Sequence, residues 1–370
     1  MLIYILKRVL LMIPTLFGIM LLTFIVVQFA PGGPVEKIIA MLNGTDVSAT
    51  ERIGGGQATD FAAGGQSQAG SEMSSTSKYR GAQGLDPAII KSLEKQFGFD
   101  KPPLERFGLM IYNYATFNFG ESYFRHTSVI SLIKEKMPVS ISLGLWMTLL
   151  SYLISIPLGI RKAVKDGSRF DTWTSTVLII GYAIPGFLLA ILLIVLFAGG
   201  SYWHIFPLKD LTSENWHEMS IIGKIGDYFW HLTLPLIALG VGAFTFTTFL
   251  TKNSFLDEIK KQYVITARAK GLTERQVLYG HVFRNAMLIL ISGFPGAFIG
   301  AFFSGSLLIE QIFNLDGIGQ LGFKSVVDRD YSVVFATLYI FSLLGLVINL
   351  VSDLTYMMVD PRIDFETRET

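Results

Sequence analysis

The chain has 370 residues, of which 51% are hydrophobic and only 16% are charged, whereas soluble domains carry roughly 25% charged residues. The absence of cysteine excludes a disulfide-stabilised secreted fold, a thiolate zinc site and a cysteine nucleophile. Lysine and arginine number 30 against 29 acidic residues, so the chain lacks the overall basic field of nucleic-acid-binding proteins.

Six uncharged apolar runs are each long enough to cross a bilayer as a helix, which needs about 20 residues. The runs contain no Asp, Glu, Lys or Arg apart from Asp353, near the end of the last run. Buried helices of soluble proteins are shorter and have a polar face. The sequence therefore predicts an all-α polytopic membrane protein with six transmembrane helices, at residues 9–30, 138–160, 173–199, 231–251, 287–309 and 333–355.

The first apolar run follows Lys7 and Arg8, as the apolar region of a cleaved signal peptide would. It is longer than the roughly 7 to 15 residues usual in such a peptide, and it ends without a small-x-small cleavage site. We therefore interpret this run as a retained first span.

Positive charges are concentrated on one side of the predicted spans. Fifteen lysines and arginines fall at the two termini and in the loops that share their side, against four in the short loops opposite. The remaining eleven lie in a loop too long to count under the positive-inside rule. We therefore expect both the N and the C terminus to be cytoplasmic.

The predicted organisation has four parts: an N-terminal end with the first span (1–30), a long external loop (31–137), a five-helix transmembrane domain (138–359) and a cytoplasmic tail (360–370). Within the external loop, residues 44–84 contain nine glycines and six serines, which predicts a flexible insert. A short amphipathic helix is predicted to begin at Asp86 and Pro87 and to end at Gly98.

Aromatic residues cluster from Tyr112 to Phe124 in the same external loop. Such a segment beside a membrane is typical of an interfacial anchor. The alternative is a docking surface for a soluble external partner.

The cytoplasmic segment 253–286 carries the most specific local pattern. A helix is predicted to begin at Ser254 and to stop at Gly271, and a capping box predicts that a second helix follows Thr273. Small side chains would keep the bend thin enough for another protein to approach the backbone. A solvated basic loop near anionic lipid is an equal alternative. The small residues are Ala267, Ala269 and Gly271.

The sequence predicts no catalytic, cofactor-binding or metal-binding residue. The GxGxxG string at 317–322 lies between two predicted spans, so it is interpreted as a tight turn rather than a dinucleotide site. No GxxxxGK[ST] loop is present, and the five histidines lack metal-ligand spacing. Because the spans lack ionisable groups within them, energy for uphill transport would have to enter from outside the spans.

The run from Tyr263 to Leu272 resembles the cytoplasmic EAA loop of permeases in the peptide branch of bacterial ABC importers. The resemblance covers nearly the whole chain, including Pro14 and Thr15 near the start and Asp360 and Pro361 near the end. The long insert and the sequence around it are similar to the YejB branch of this family. The resemblance implies a type I ABC importer permease fold in the bacterial inner membrane.

The same resemblance implies partners and substrates. The chain would pair with a second, YejE-like permease, above a YejF-like ATPase with two nucleotide-binding halves that binds ATP and magnesium. A YejA-like periplasmic peptide-binding protein would deliver oligopeptides, which include cell-wall peptides and peptides of the microcin C type.

The resemblance also implies a set of ATPase-coupling residues in the segment 253–286. Ile265 stands where the broader EAA pattern has glutamate, and Asp316 stands where proline commonly precedes the external glycine turn, so neither position is given a role. The implied residues are Tyr263, Thr266, Ala267, Arg268, Ala269, Lys270, Gly271, Leu272, His281, Arg284 and Asn285.

Three alternatives make different predictions. A passive channel or receptor would show flux or signalling without nucleotide, and a membrane hydrolase would turn over substrate as the isolated chain. A nickel-type ABC permease would share the fold, but no cluster with ligand spacing lies in the predicted spans.

Overall fold

The computed structural model describes residues 2–29, 33–42, 87–96, 99–199, 202–303 and 306–359. These residues form helices and one isolated antiparallel bridge between Glu121 and Ser128, with no strand among them. The predicted insert 44–84, the tail 360–370 and the predicted helix-end residues Asp86 and Gly98 lie outside this part of the chain.

Helices in the first half of the chain are α1 (Leu2–Phe29), α2 (Pro34–Leu42), α3 (Pro87–Gln96), α4 (Pro103–Ala115), α5 (Val129–Val164), α6 (Arg169–Ala183) and α7 (Gly186–Phe197). A 3-10 turn at Trp216–Glu218 precedes α8 (Ile221–Ile259) and α9 (Gln262–Ala269). The remaining helices are α10 (Glu274–Ala286), α11 (Leu288–Phe303), α12 (Ser306–Ile312), α13 (Ile318–Asp328) and α14 (Tyr331–Val359). The helix predicted to begin at Pro87 is confirmed as α3.

Within the part of the chain that the structure describes, four helices are long and apolar enough to cross a membrane on their own: α1, α5, α8 and α14. The predicted third span is not a single straight helix, and a bend at residue 287 marks the start of the predicted fifth span. The α6–α7 pair is bent by 91° and the α10–α11 pair by 48°, and the number of spans reaches six only if each bent pair is one span. Pro185 lies at the sharper bend, where it has no backbone N–H to continue the α6 hydrogen bonds.

The described residues divide into two compact units. The first contains the described residues within 1–13, 133–321 and 341–370, and the second contains those within 14–132 and 322–340. In the first unit, an apolar core joins α5, α7, α8 and α12 through residues such as Leu143, Ala190, Leu232 and Ile309.

Helices α5 and α8 approach each other very closely at Gly159. A Cβ atom at this position would lie 2.5 Å from Cβ of Thr251 and 2.8 Å from the carbonyl oxygen of Thr248. Only glycine fits this contact, which is the small-residue packing common between membrane helices.

The second unit holds the aromatic segment that was predicted to be an exposed anchor. Tyr114 and Phe119 are instead buried, and their rings pack against Tyr339 at 5.6 and 5.7 Å between centroids. Tyr112 and Phe117 are the exposed members. These buried rings therefore stabilise the second unit, because they pack against the part of α14 that contains Tyr339.

The GxGxxG string is a turn only at its first glycine, because α13 begins at Ile318. The fully buried carboxylate of Glu310 accepts hydrogen bonds from Ser140 Oγ at 2.9 Å and from the Gln320 backbone N–H at 2.8 Å. A Cβ on Gly317 or Gly319 would lie 2.5 or 2.9 Å from the Glu310 carboxyl group. These two glycines therefore let the chain close around Glu310.

Candidate functional site

The segment 253–286 begins inside a helix rather than at the start of one. Helix α8 continues for 39 residues from the apolar span to Ile259, so the predicted helix start at Ser254 is wrong. Ser254 Oγ donates to the carbonyl oxygen of Ala286 at 2.6 Å instead of capping a helix. The helical path is interrupted at Lys260 and Lys261, because Lys261 has an extended backbone with ψ 151°.

Helix α9 ends in a left-handed turn at Gly271, as predicted. Gly271 has φ +86°, a conformation that glycine adopts without steric cost. Its N–H donates to the Arg268 carbonyl at 2.9 Å, and the Leu272 N–H lies 3.4 Å from the Ala267 carbonyl. These two bonds form a Schellman motif, which satisfies the last carbonyl groups of α9.

The predicted capping box at the start of α10 is confirmed. The Thr273 N–H donates to Gln276 Oε1 at 2.9 Å, and Thr273 Oγ1 accepts from the Gln276 N–H at 3.4 Å. Across the turn, the Arg268 guanidinium binds Glu274 through two contacts of 2.9 and 3.0 Å. Residues 262–286 therefore form a helix, a tight turn and a second helix with defined ends.

One side of this motif packs into the protein. Val264, Ala267, Val277 and Val282 are buried in an apolar cluster with Phe255 of α8 and with Ile160 and Ala163 of α5. Ala267 therefore faces the chain's own core, whereas Ala269 and Gly271 are exposed. The motif is attached to two candidate membrane helices through its inner side.

The other side is exposed and carries most of the residues implied by the resemblance. Ile265 of α9 is also on this side, and its apolar side chain is 51% exposed. Leu272 is half-buried against the apolar cluster. The exposed implied residues are Thr266, Arg268, Ala269, Lys270, Gly271, His281, Arg284 and Asn285.

Tyr263 is held at the corner between α8 and α9. Its hydroxyl donates to Glu258 Oε2 at 2.7 Å and also forms a side-chain hydrogen bond with Asn285 of α10. Burial is the largest influence on this group and raises the pKa of Tyr263 above its ordinary value, with Asn285 acting in the opposite direction. Tyr263 is therefore a neutral hydrogen-bond donor at physiological pH and links three helices.

Helix α10 contains a π-helical turn at Leu278–Val282. The Phe283 N–H donates to the Leu278 carbonyl, five residues back, which widens the helix around His281. Such turns often occur at functional sites. The turn lies one helical turn before the 48° bend between α10 and α11.

A buried charge cluster beside the segment was missed by the sequence interpretation, which counted its lysines only as loop charges. The Lys162 ammonium is fully buried and lies 3.0 Å from Asp171 Oδ1, while Lys252 of α8 lies 2.7 Å from Asp171 Oδ2 and 2.8 Å from Asp166. The cluster thus joins α5, α6 and α8. One signal in the sequence could have placed Asp171 in the first turn of a helix, because Ser168 stands three residues before it in a helix-capping pattern. The structure shows this cap, in which the Ser168 side chain accepts from the Asp171 N–H.

Comparisons with known proteins agree with the implied family. The family model described as "Binding-protein-dependent transport system inner membrane component" matches residues 155–365, which include α8, α9 and α10. The "Peptidoglycan transport system permease protein YejB" of Agrobacterium fabrum is 65% identical over 366 residues, which are 99% of each chain. The "Inner membrane ABC transporter permease protein YejB" of Escherichia coli O157:H7 is 55% identical over 365 residues, again 99% of each chain.

A more distant relative is the "Oligopeptide transport system permease protein AppB" of Bacillus subtilis. It is 31% identical over 367 residues, which cover 98% of this chain and 99% of the relative. The predicted resemblance to the YejB branch is confirmed by the two full-length relatives of that name. The chain belongs to the family of binding-protein-dependent transport system inner membrane components.

Proposed function

We propose that this chain is one of two permease subunits of an ATP-driven ABC importer that carries oligopeptides across the bacterial inner membrane. The observation that carries this proposal is the two-sided motif formed by α9 and α10. Its inner side packs on α5 and α8, and its outer side is open to a partner. A partner that pulls on the outer side would move both membrane helices, because a close-packed core transmits displacement.

Within this motif the implied coupling residues take two roles. Thr266, Arg268, Ala269, Lys270 and Gly271 would contact the ATPase, since their side is exposed. Exposed residues of α10, His281 and Arg284, would extend that surface. The other coupling residues would hold the shape of the motif through hydrogen bonds and apolar packing: Tyr263, Ala267, Leu272 and Asn285.

The proposed orientation places both termini and the motif in the cytoplasm. The excess of positive charge on that side supports it. So does the contact between the start of α1 and the end of α14, where Arg8 Nη2 lies 2.7 Å from Asp353 Oδ2 and Tyr4 donates to the same oxygen at 3.0 Å. Two helix ends that form an ion pair belong on the same side of a membrane.

The proposed partners are a YejE-like permease, a YejF-like ATPase that binds ATP and magnesium, and a YejA-like periplasmic peptide-binding protein. The relatives' names support a peptide substrate, because one refers to peptidoglycan transport and another to oligopeptide transport. We therefore propose oligopeptides as the substrate class, with cell-wall peptides and microcin C-type peptides among them.

The test is a mild-detergent purification of the tagged chain from its native membrane, with partner identification by mass and an ATPase assay. We expect a second permease and an ATPase in the complex, and loss of the ATPase from Gly271→Glu. Gly108→Glu is the matched control, because Gly108 is exposed on α4 and has open space around it. A complete complex should also accumulate labelled oligopeptide in vesicles only with ATP.

Recovery of the chain alone in several detergents, with no ATPase activity, would refute the importer and favour a channel or receptor. Retention of the ATPase by Gly271→Glu would refute the proposed docking site while leaving the importer in place. ATP-driven uptake of nickel without uptake of peptide would refute the substrate class alone.

A further inference from the structure

A cleft separates the end of α5 from the π-helical turn of α10. It has a volume of about 560 Å³, within the range of roughly 300–1,000 Å³ typical of small-ligand sites. Ile156, Ile160 and Val164 line it from α5, and Leu278, Tyr279 and Phe283 line it from α10. Its walls are thus almost entirely apolar.

The spacing on α5 explains why these residues share one face. Ile156, Ile160 and Val164 recur every four residues, which places them along one stripe of a helix. Val164 is 55% exposed, and Tyr279 across the cleft is 56% exposed. The cleft is therefore an opening at the edge of the apolar cluster around Phe255, because Ile160 lines the cleft and also belongs to that cluster.

Two positive side chains lie on the rim of this cleft: Arg161 in the last turn of α5, and Lys165 in the turn that directly follows the helix. Within the described part of the chain, neither forms an ion pair. Arg161 lies over the ring of Phe170 at 4.8 Å, and the nearby carboxylate of Asp166 is bound to Lys252 at 2.8 Å. The rim therefore has two positive charges that no neighbouring carboxylate neutralises.

The position of the cleft along α5 identifies its surroundings. Helix α5 is a candidate membrane span that ends at Val164, and its uncharged run ends at Ile160, directly before Arg161. The cleft therefore lies where the apolar run of α5 meets its first charged residues. At that depth apolar surface meets acyl chains, while arginine and lysine at the helix end meet lipid headgroups.

We propose that this cleft binds an anionic phospholipid, with its acyl chain between α5 and the π-helical turn and its phosphate between Arg161 and Lys165. The charge complementarity of the rim selects an anionic headgroup, and the apolar walls require a lipid rather than free phosphate. The bound lipid would contact Tyr279 and so couple the membrane composition to the motif of α9 and α10. This inference needs only a membrane-embedded chain and does not depend on the transported substrate.

The first test is native mass spectrometry of the full chain with whatever partners co-purify, in neutral detergent with added phosphatidylglycerol or phosphatidylcholine. We expect one retained phosphatidylglycerol, and at least a fivefold weaker retention in Arg161→Gln/Lys165→Gln. Val164→Trp should give a similar loss without any change of charge, because the indole fills the cleft. The control is Arg169→Gln/Lys260→Gln, which removes two exposed charges outside the cleft.

The second test is crosslinking with a photoreactive phosphatidylglycerol, followed by mapping of the modified peptides. We expect modification within residues 156–165 and 278–283. Equal retention of phosphatidylcholine, equal loss in the control variant, or displacement of the lipid by glycerol phosphate would each overturn the proposal. So would crosslinking of Val164→Cys to a co-purified protein in place of lipid; the absence of native cysteine makes that label specific.

Discussion

The hydroxyl of Tyr263 donates to Glu258 Oε2 at 2.7 Å across the break between α8 and α9. Lys261 Nζ lies 2.5 Å from the other oxygen of the same carboxylate. The Glu258 side chain is only 13% exposed, so little water competes for these bonds. One carboxylate thus ties the end of a membrane helix to the first turn of α9, in addition to the backbone through Lys260 and Lys261.

Tyr263→Phe should loosen this corner without unfolding the chain. Removal of a hydrogen bond to a charged group costs about 1.5–3 kcal/mol, so local opening should become roughly 10- to 150-fold more frequent. Hydrogen exchange of residues 260–272 should accelerate by that factor, and the number of peptides transported per ATP should fall. The matched control is Tyr112→Phe, since the Tyr112 side chain is 68% exposed in the other unit.

Unchanged exchange in Tyr263→Phe would contradict the proposed role of the Glu258 bond. Faster exchange with an unchanged transport ratio would show that the corner stabilises the fold but does not transmit movement.

The sequence predicted the local ends of the motif because those signals depend on neighbours in the chain. Thr273 and Gln276 form their capping box within one helical turn, and Gly271 adopts its positive φ within its own turn. Ser254 shows the limit of such signals. Its hydroxyl donates to the carbonyl oxygen of Ala286, 32 residues away. Ser254 therefore does not cap a helix, and α8 extends past it to Ile259.

Gly271 provides a graded test of the turn. L-residues pay roughly 1–2 kcal/mol in the left-handed region, and asparagine adopts it more readily than alanine. The amide N–H groups that bind the last α9 carbonyl groups should therefore be best protected against hydrogen exchange with Gly271, less protected in Gly271→Asn and least protected in Gly271→Ala. Beyond the two neighbouring residues in the chain, no atom lies within 4 Å of an added Cβ, so contacts with the rest of the protein cannot produce this order. Equal protection in all three would mean that the turn's conformation does not limit α9.

Glu310 allows a prediction about another part of the first unit. Glu310→Ala would leave the buried Gln320 N–H and the Ser140 hydroxyl without their acceptor, at about 1–3 kcal/mol for each group. Glu310→Gln keeps one acceptor oxygen, so thermal unfolding in detergent should occur earliest for Glu310→Ala and at an intermediate temperature for Glu310→Gln. Gly322→Ala is the control, because nothing lies within 4 Å of its added Cβ.

A Glu310→Ala variant as stable as the control would show that water or a lipid headgroup replaces the carboxylate.

The fold was predictable where apolar length alone decides it, as in α1, α5, α8 and α14. The angles of the two bent pairs were not predictable, because neither an uncharged run nor a capping pattern shows the direction in which the next helix continues. The run 173–199 contains Pro185, which removes one hydrogen bond, but the 91° angle depends on packing against α8. Gly181 and Gly186 lie so close to α8 that a Cβ would be 2.8 Å from Val241 Cγ1 or 3.1 Å from the Ala238 carbonyl oxygen.

The buried cluster around Lys162 supports a double-mutant prediction. Lys162 Nζ binds the Asp171 carboxylate at 3.0 Å and the hydroxyl groups of Thr174 and Ser175 at 2.7 and 2.8 Å. Asp171→Asn removes the charge that balances Lys162 and Lys252, and a broken buried pair costs about 3–5 kcal/mol. We expect a correspondingly lower yield of folded chain and a lower unfolding temperature.

Lys162→Met in the Asp171→Asn background should restore part of the lost stability, because it removes the buried charge that the first substitution left unbalanced. Lys165→Met is the matched control, since Lys165 is exposed in the turn directly after the same helix. Unfolding temperatures of the two double variants in one detergent separate the effects. Equal recovery with Lys165→Met would show that general positive charge, rather than the Lys162–Asp171 pair, determines stability, whereas recovery confined to Lys162→Met assigns it to the pair that joins α5 to α6.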